Sequence, residues 1–455
     1  MSEFLSFPKG FAWGTATAAY QVEGAVHDEG RKDSIWDVFA HTPGKIANGE
    51  TGDIADDAYH HVEEDVGWMH DLGYQAYRFS IAWPRILPDG KGKVNQPGID
   101  FYNRLIDALL AANIRPMITL YHWDLPIALQ GGWLSRDTAY AFEEFTSVAA
   151  RAFGDRVKDW VTLNEPWCSS FLSYKIGIHA PGMHDTRKAL LASHHLLLAH
   201  GLAVPVLRQE CKDARAGIAL NEGPFYPATS SEGDRDGARK GDGELNRWFI
   251  DPLFGRYYPA DMLLDYVKEG ILSSMEPEFI QPGDMQKIAA PLDFLGLNYY
   301  SRTIVHTGSS QNNGDPLQAA EGSQNQKTDL GWEIFPLGLY ETLCRMYFNY
   351  RPKEIIVTEN GADFRDSPDS TGKVHDARRI AYLCSHLAAV HKAIEAGVPM
   401  GGYYLWSLLD NFEWSNGFTP RFGLIHVDYN TLKRTPKDSA YWYSQVIREN
   451  GLISD

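Results

Sequence analysis

The chain has 455 residues, 44% hydrophobic and 22% charged, enough apolar material for a large core and too much for an unfolded polymer. Its 42 basic and 59 acidic residues leave a formal charge of −17, which argues against nucleic acid, an anionic membrane or a strongly anionic substrate as partner. Aromatic rings are abundant, with 13 Trp, 23 Tyr and 21 Phe, and suit either a core or a site for flat-faced ligands.

In chain order, residues 12–15 read as a first strand. Val62, Val66, Met69 and Leu72 recur at helical spacing, Gly73 can close that helix, and residues 76–80 follow as a strand. Ile99, Tyr102, Leu105, Ile106, Leu109 and Leu110 mark a second helical face, ended by Asn113 before a strand at 117–121. Phe142, Phe145, Val148, Ala149 and Phe153 mark a third, stopped by Gly154 before a strand at 160–164. Further strands are expected at 216–220, 294–297, 355–358 and 402–405. Helices alternating with eight strands predict an α/β fold, a (β/α)8 TIM barrel, as a single domain over residues 1–455 with extended βα-loops. A doubly wound open sheet is the rival, but no G-x-G-x-x-G turn follows any strand. The polar stretch 308–330 reads as a long βα-loop rather than a linker, because strand-like units resume after it.

Cys168, Cys211, Cys344 and Cys384 stand far apart without a C-x-x-C pair, so neither a zinc site nor a disulfide framework is indicated. The first residues lack the basic start and apolar stretch of a signal peptide, and no N-x-[ST] acceptor occurs. No apolar run approaches the ~20 residues needed to cross a bilayer. A soluble, cytoplasmic protein is expected.

In such a barrel the chemistry sits at the C-terminal strand ends. There the sequence places Gln21, Arg78, His122, Asn164 with Glu165, Asn221, Asn298 with Tyr300, Glu359 and Trp406, more polar and aromatic groups than a purely structural barrel needs. Glu165 follows strand four and Glu359 follows strand seven, each behind residues that read as buried. Two acids across one pocket suit glycosidic bond cleavage, one protonating the leaving oxygen while the other attacks the sugar or activates water. Mutual repulsion would hold one of them protonated near neutral pH. The residues alone leave open that one acid is a structural ion-pair partner, and that His122 is a hydrogen-bonded core histidine. The pairs His60-His61 and His194-His195 match no metal spacing and read as structural; no metal or other cofactor is expected. Trp406 and Trp414 flank Glu413 and read as sugar-stacking rings, whereas Trp13, Trp36 and Trp68 read as core.

Six stretches now matter together: FAWGTATAAYQVEG (11–24), YHWDLP (121–126), TLNEP (162–166), LNYY (297–300), VTENG (357–361) and WSLLDNFEW (406–414). In this order, over nearly the whole chain, they resemble the β-glucosidases of glycoside hydrolase family 1. The resemblance implies a retaining enzyme, with Glu359 as the nucleophile and Glu165 as the acid that later acts as base, their carboxyl groups about 5–5.5 Å apart. It implies that Arg78 and Tyr300 donate to Glu359, and that Asn221 and Asn298 support the two acids. Asn164 would bind the sugar 2-hydroxyl, and Gln21, His122, Glu413 and Trp414 the remaining hydroxyls. Trp406 would lie beneath the ring, Phe422 would close one wall, and Trp332 would line the leaving-group side.

Family members acting on phosphorylated sugars lack the Glu found here at 413, and thioglucosidases carry Gln in place of Glu165. The implied substrates are therefore unphosphorylated: terminal, non-reducing β-D-glucosyl residues of cellobiose, cello-oligosaccharides and aryl β-glucosides, with side activity on β-galactosides and β-fucosides. Leu337 stands where many relatives are acidic and leaves the leaving-group preference open; Leu172, Lys175 and Trp332 are expected to shape the entrance. Small-molecule β-glucosides and oligosaccharides are the expected partners, with no nucleic acid and no membrane. The alternatives are a sugar-binding barrel without catalysis, a 6-phospho-β-glycosidase and a metal-dependent hydrolase.

Overall fold

The computed structural model describes residues 3–306 and 326–454. Eight parallel strands close into a barrel: β1 (Ala12–Ala16), β2 (Ala76–Ser80), β3 (Arg115–Tyr121), β4 (Asp159–Asn164), β5 (Arg215–Asn221), β6 (Phe294–Asn298), β7 (Ile355–Asn360) and β8 (Met400–Trp406). Each pairs with the next in the chain, and β8 closes onto β1. Parallel neighbours need long crossovers, and helices supply them, among them Val62–Asp71, Gln96–Ala111, Asp137–Phe153, Pro336–Tyr350 and Ala377–Glu395. All eight expected strands are present, with every boundary within two residues of its expected place.

Two apolar layers explain the apolar runs. Ala12, Ala76, Met117, Val161, Ala219, Phe294, Ile356 and Tyr404 fill the barrel interior, while alternate residues such as Ile118, Ile218, Leu220 and Val357 face the helices. Glycine makes room where two interior groups compete: a Cβ on Gly217 would come 2.4 Å from the Phe294 ring. In the outer layer Trp83 stacks on Phe145, with centroids 5.0 Å apart and planes 9° from parallel.

Three pairings were not foreseen. Glu3–Ser6 pairs antiparallel with Gly451–Ser454, Ile425–Asp428 with Lys433–Pro436, and Phe225–Pro227 runs parallel to Thr303–Val305. Each strand is three or four residues long, too short to show a period. The helix Thr186–Glu210 corrects another expectation, being long and apolar enough to cross a bilayer by composition; most of its apolar stretch is buried against the barrel. Both histidine pairs are structural, as expected. His194 is fully buried between the Tyr258 hydroxyl (2.9 Å) and Asp284 (3.0 Å), His195 meets the Trp133 carbonyl, and His60 and His61 bond Asp57. Of the stretch 308–330, residues up to 325 lie outside the described residues; 326–330 sit between β6 and Pro336–Tyr350, in a βα position.

The segment after β8 is fastened by charge. Asp410, fully buried, accepts from Lys437 Nζ (2.9 Å) and Arg421 Nη1 (2.8 Å), and Lys437 is itself fully buried. Removing one partner of such a pair leaves uncompensated charge in a dry place. Lys437→Met is expected to cost about 3 kcal/mol, read as a lower urea midpoint and a lower Tm; an unchanged midpoint would contradict this account.

Candidate active site

The two acids stand at the barrel mouth, Glu165 directly after β4 and Glu359 near the end of β7, three staves apart and so not diametrically opposed. The ladders are irregular just before both: register shifts between Val161 and Asn164 where β4 meets β5, and between Val357 and Glu359 where β7 meets β6. Such irregularities re-aim side chains. Glu165 also adopts φ +46°, a region that crowds any Cβ, held by a backbone bond from its N–H to the Ala219 carbonyl at 2.8 Å.

Arg78 lies within β2 rather than after it, and its guanidinium is fully buried. Nη1 donates to Glu359 Oε1 (2.7 Å) and the Thr358 carbonyl (3.1 Å), Nη2 to Asn164 Oδ1 (2.6 Å), and Nε to Thr119 Oγ1 (3.0 Å). The Tyr300 hydroxyl donates to Glu359 Oε2 at 2.7 Å, so each oxygen of Glu359 has its own donor. Asn298 Nδ2 donates to Glu165 Oε1 (2.7 Å) and Asn164 Oδ1 (3.0 Å), its orientation fixed by Thr358 Oγ1 donating to Asn298 Oδ1 (2.6 Å). Asn221 reaches Glu165 indirectly: its amide donates to Cys168 Sγ at 3.8 Å, and that thiol donates to Glu165 Oε2 at 3.0 Å.

Burial first, and the charge of Glu359 second, push Glu165 up to about 7, against the pull of Asn298, Cys168 and Arg78. Glu413, partly exposed to the cavity, is pushed up to about 8 by burial and then by Glu359 and Asp363. Burial and Glu359 hold the Tyr300 phenol well above its ordinary range, so it stays a donor. Burial, then Arg78, holds His122 well below the usual imidazole value and therefore neutral.

These groups border a cavity of about 950 Å³. Trp406, Glu413, Trp414, His122, Trp332, Phe422 and Leu172 are among the residues that line it. Gln21 and Asn164 are buried beside it. Gln21 Nε2 donates to Asn411 Oδ1 (3.0 Å), the Phe412 carbonyl (2.9 Å) and Glu413 Oε2 (3.4 Å), which leaves its Oε1 buried and unpartnered. Asn164 Oδ1 is committed as an acceptor, so Asn164 Nδ2 donates to His122 Nε2 (3.1 Å) and the proton of the neutral ring sits on Nδ1. That Nδ1 is also buried without a partner. An acceptor and a donor thus await a ligand with hydroxyl groups.

The rings build the walls. Trp406 lies near-parallel to His122, with centroids 5.9 Å apart, and Trp332, Tyr300 and Phe422 form a triangle of rings 5.4 to 6.0 Å apart. Trp414 is wedged against Trp36 (4.5 Å) and Trp123 (4.4 Å), so Trp36, expected in the core, also buttresses this wall. Trp13 is fully buried and Trp68 half-buried. Lys175 departs from expectation: it pairs with Glu244 at 2.5 Å and does not line the cavity.

Among the lining residues that were missed, three stand close to the acids or the aromatic wall. Trp123 donates through Nε1 to the Asn164 carbonyl (2.9 Å); its signal lay in YHWDLP, where only His122 was given a role. His179 lies 4.9 Å from the Trp123 ring, and no motif pointed to it. Cys168 stands one turn beyond Glu165 and was read only for metal and disulfide patterns. Among the described residues no group of three or more His, Cys, Asp or Glu could hold a metal ion.

Known proteins agree with this architecture. The Glycosyl hydrolase family 1 profile spans residues 4–452. The 1,4-beta-D-glucan glucohydrolase of Thermotoga neapolitana is 48% identical over 451 residues, covering 98% of this chain and 99% of that one. The bifunctional beta-D-glucosidase/beta-D-fucosidase of Bifidobacterium breve is 44% identical over 466 residues, covering 98% and 99%. The solved family 1 β-glucosidase of Thermotoga maritima in complex with isofagomine lactam superposes with a TM-score of 0.92 at 46% identity, covering 99% and 100%. A profile that runs almost end to end, relatives nearly half identical over their full length and a barrel of the same shape make this chain a member of glycosyl hydrolase family 1.

Proposed function

We propose that the protein is a retaining β-glucosidase that releases terminal, non-reducing β-D-glucosyl residues from cellobiose, cello-oligosaccharides and aryl β-glucosides. The observation that carries this reading is the unequal treatment of its two acids. Glu359 has one oxygen on the Arg78 guanidinium and the other on the Tyr300 hydroxyl, while burial and the charge of Glu359 raise the proton affinity of Glu165. Glu359 attacks the anomeric carbon as Glu165 protonates the departing oxygen. Once Glu359 is a neutral ester, one of the two causes that raised the proton affinity of Glu165 is gone. Glu165 then takes a proton from the water that hydrolyses the ester, and the anomeric configuration is retained.

Gln21, His122, Asn164, Glu413 and Trp414 are assigned to the sugar hydroxyls, and Trp406 to the face of the ring. Glu413 supports an unphosphorylated sugar, as does the scarcity of cations: Lys45 is the only Lys or Arg among the described residues lining the cavity. A β-fucoside lacks only the 6-hydroxyl of a galactoside, and a relative named for both glucosidase and fucosidase activity supports a hydroxyl network that tolerates changes at C4 and C6. The isofagomine lactam bound by another relative supports a sugar-shaped pocket.

Glu359→Gly is expected to lose turnover of an aryl β-glucoside by on the order of 10⁵-fold. Azide should restore turnover and give the α-glucosyl azide, seen by NMR; hydrolysis at the wild-type rate would remove Glu359 from its role. Glu165→Ala should slow cellobiose by roughly 10²–10⁴-fold and 2,4-dinitrophenyl β-glucoside far less in the glycosylation step, and equal losses would disqualify Glu165 as the acid. The pH profile follows from the direction of its shift. An acid must be protonated, so kcat/KM of the wild type should fall as pH rises through about 7, and this limb should be absent from Glu165→Ala.

A further inference from the structure

Cys168 takes no part in the steps above, yet it is tied to the acid twice. Its backbone N–H donates to the Glu165 carbonyl (2.9 Å) and its thiol to Glu165 Oε2 (3.0 Å). It is buried and borders the cavity, and the Asn221 amide backs its sulfur from the end of β5. The other oxygen, Oε1, faces Asn298 Nδ2, whose orientation Thr358 fixes, so Oε1 accepts in both protonation states. The proton that Glu165 gives and recovers therefore belongs on Oε2, beside a group that changes role at little cost. A thiol donates weakly to a carboxylate and, with its hydrogen turned away, accepts weakly from a carboxylic acid.

We propose that Cys168 is a positioning residue for the proton of Glu165: it keeps Oε2 as the atom that loses and regains the proton, and it favours the carboxylate that deglycosylation requires. This rests on the β-glucosidase reading. The other charged or titratable groups facing Glu165 are Glu359 from β7, Arg78 from β2, Tyr300 after β6 and Glu413 after β8. Cys168 differs from them in touching Oε2 and in being replaceable without removing the nucleophile, one of its donors or a group assigned to the sugar.

The test is the pH dependence of kcat/KM for 4-nitrophenyl β-glucoside in Cys168→Val, Cys168→Ala and Cys168→Ser, with Tm measured to identify folded variants. Loss of the thiol removes a donor to the charged form, so the basic limb of the Val and Ala variants should move up by about half a pH unit. Serine, which keeps a donor, should return it toward the wild-type position. Asn221→Leu strips the support behind the sulfur and should move the limb the same way by less, which supplies a reading if the cysteine variants do not fold. A limb that stays in place, moves down, or moves equally in the serine variant overturns the proposal. A wild type that leaves the aryl glucoside intact overturns the β-glucosidase reading instead, so the two failures are distinguishable.

Discussion

Arg78 brings one fully buried guanidinium to a site where Glu165, Glu359 and Glu413 act on one another, and the site is arranged around that shortage of positive charge. Burying a guanidinium is tolerable only with its donors occupied. The contacts of Arg78 to Glu359, Thr358, Asn164 and Thr119 meet that condition. Glu359 touches the cation directly; Glu165 and Glu413 do not, and both are pushed toward the protonated form. The proposed division between nucleophile and acid thus follows from which carboxylate the guanidinium reaches.

The side proposed to hold the sugar is built on a different principle, with neutral groups held in fixed orientations. Gln21 spends its amide hydrogens on Asn411, Phe412 and Glu413, and His122 spends one ring nitrogen on Asn164. What each has left is a single polar atom with a defined role, and the protein supplies no partner for it. Behind these atoms the wall is continuous with the core, since Trp414 packs on Trp36 and Trp123, and the segment carrying Glu413 is pinned through the Asp410 pairs with Lys437 and Arg421. A displacement in that core would move the hydroxyl receptors with it.

The barrel was legible because its strands are buried on both faces and write apolar runs into the sequence, each followed by a break in polarity. Glu165 and Glu359 were visible as acids at those breaks. Arg78 was read with the polar groups at the strand ends, although it stands inside β2, and its role came only from the family resemblance. The convergence of the two acids was not legible: chain order places them on staves four and seven of eight, but how their side chains meet depends on the ladder irregularities near Asn164 and Glu359. Lone contacts such as Cys168 and His179 leave no periodic trace either. The apolar helix Thr186–Glu210 was underestimated because its histidines break the run in sequence while remaining buried in the fold.

The shortage of cations also makes the two halves of the reaction electrostatically different. While Glu359 is a free carboxylate, the charge of Arg78 is answered at 2.7 Å. Esterification removes that negative charge and leaves a buried guanidinium facing only a carbonyl, an amide oxygen and a hydroxyl. The nearest remedy is negative charge on Glu165, linked to Arg78 through Asn164 and Asn298 in contacts of 2.6 to 3.0 Å. Arg78 is already among the groups that lower the proton affinity of Glu165, and its pull is no longer offset by the charge of Glu359. In the proposed mechanism one buried cation thereby supports the nucleophile in the first half of the turnover and the base in the second, without a side chain having to move.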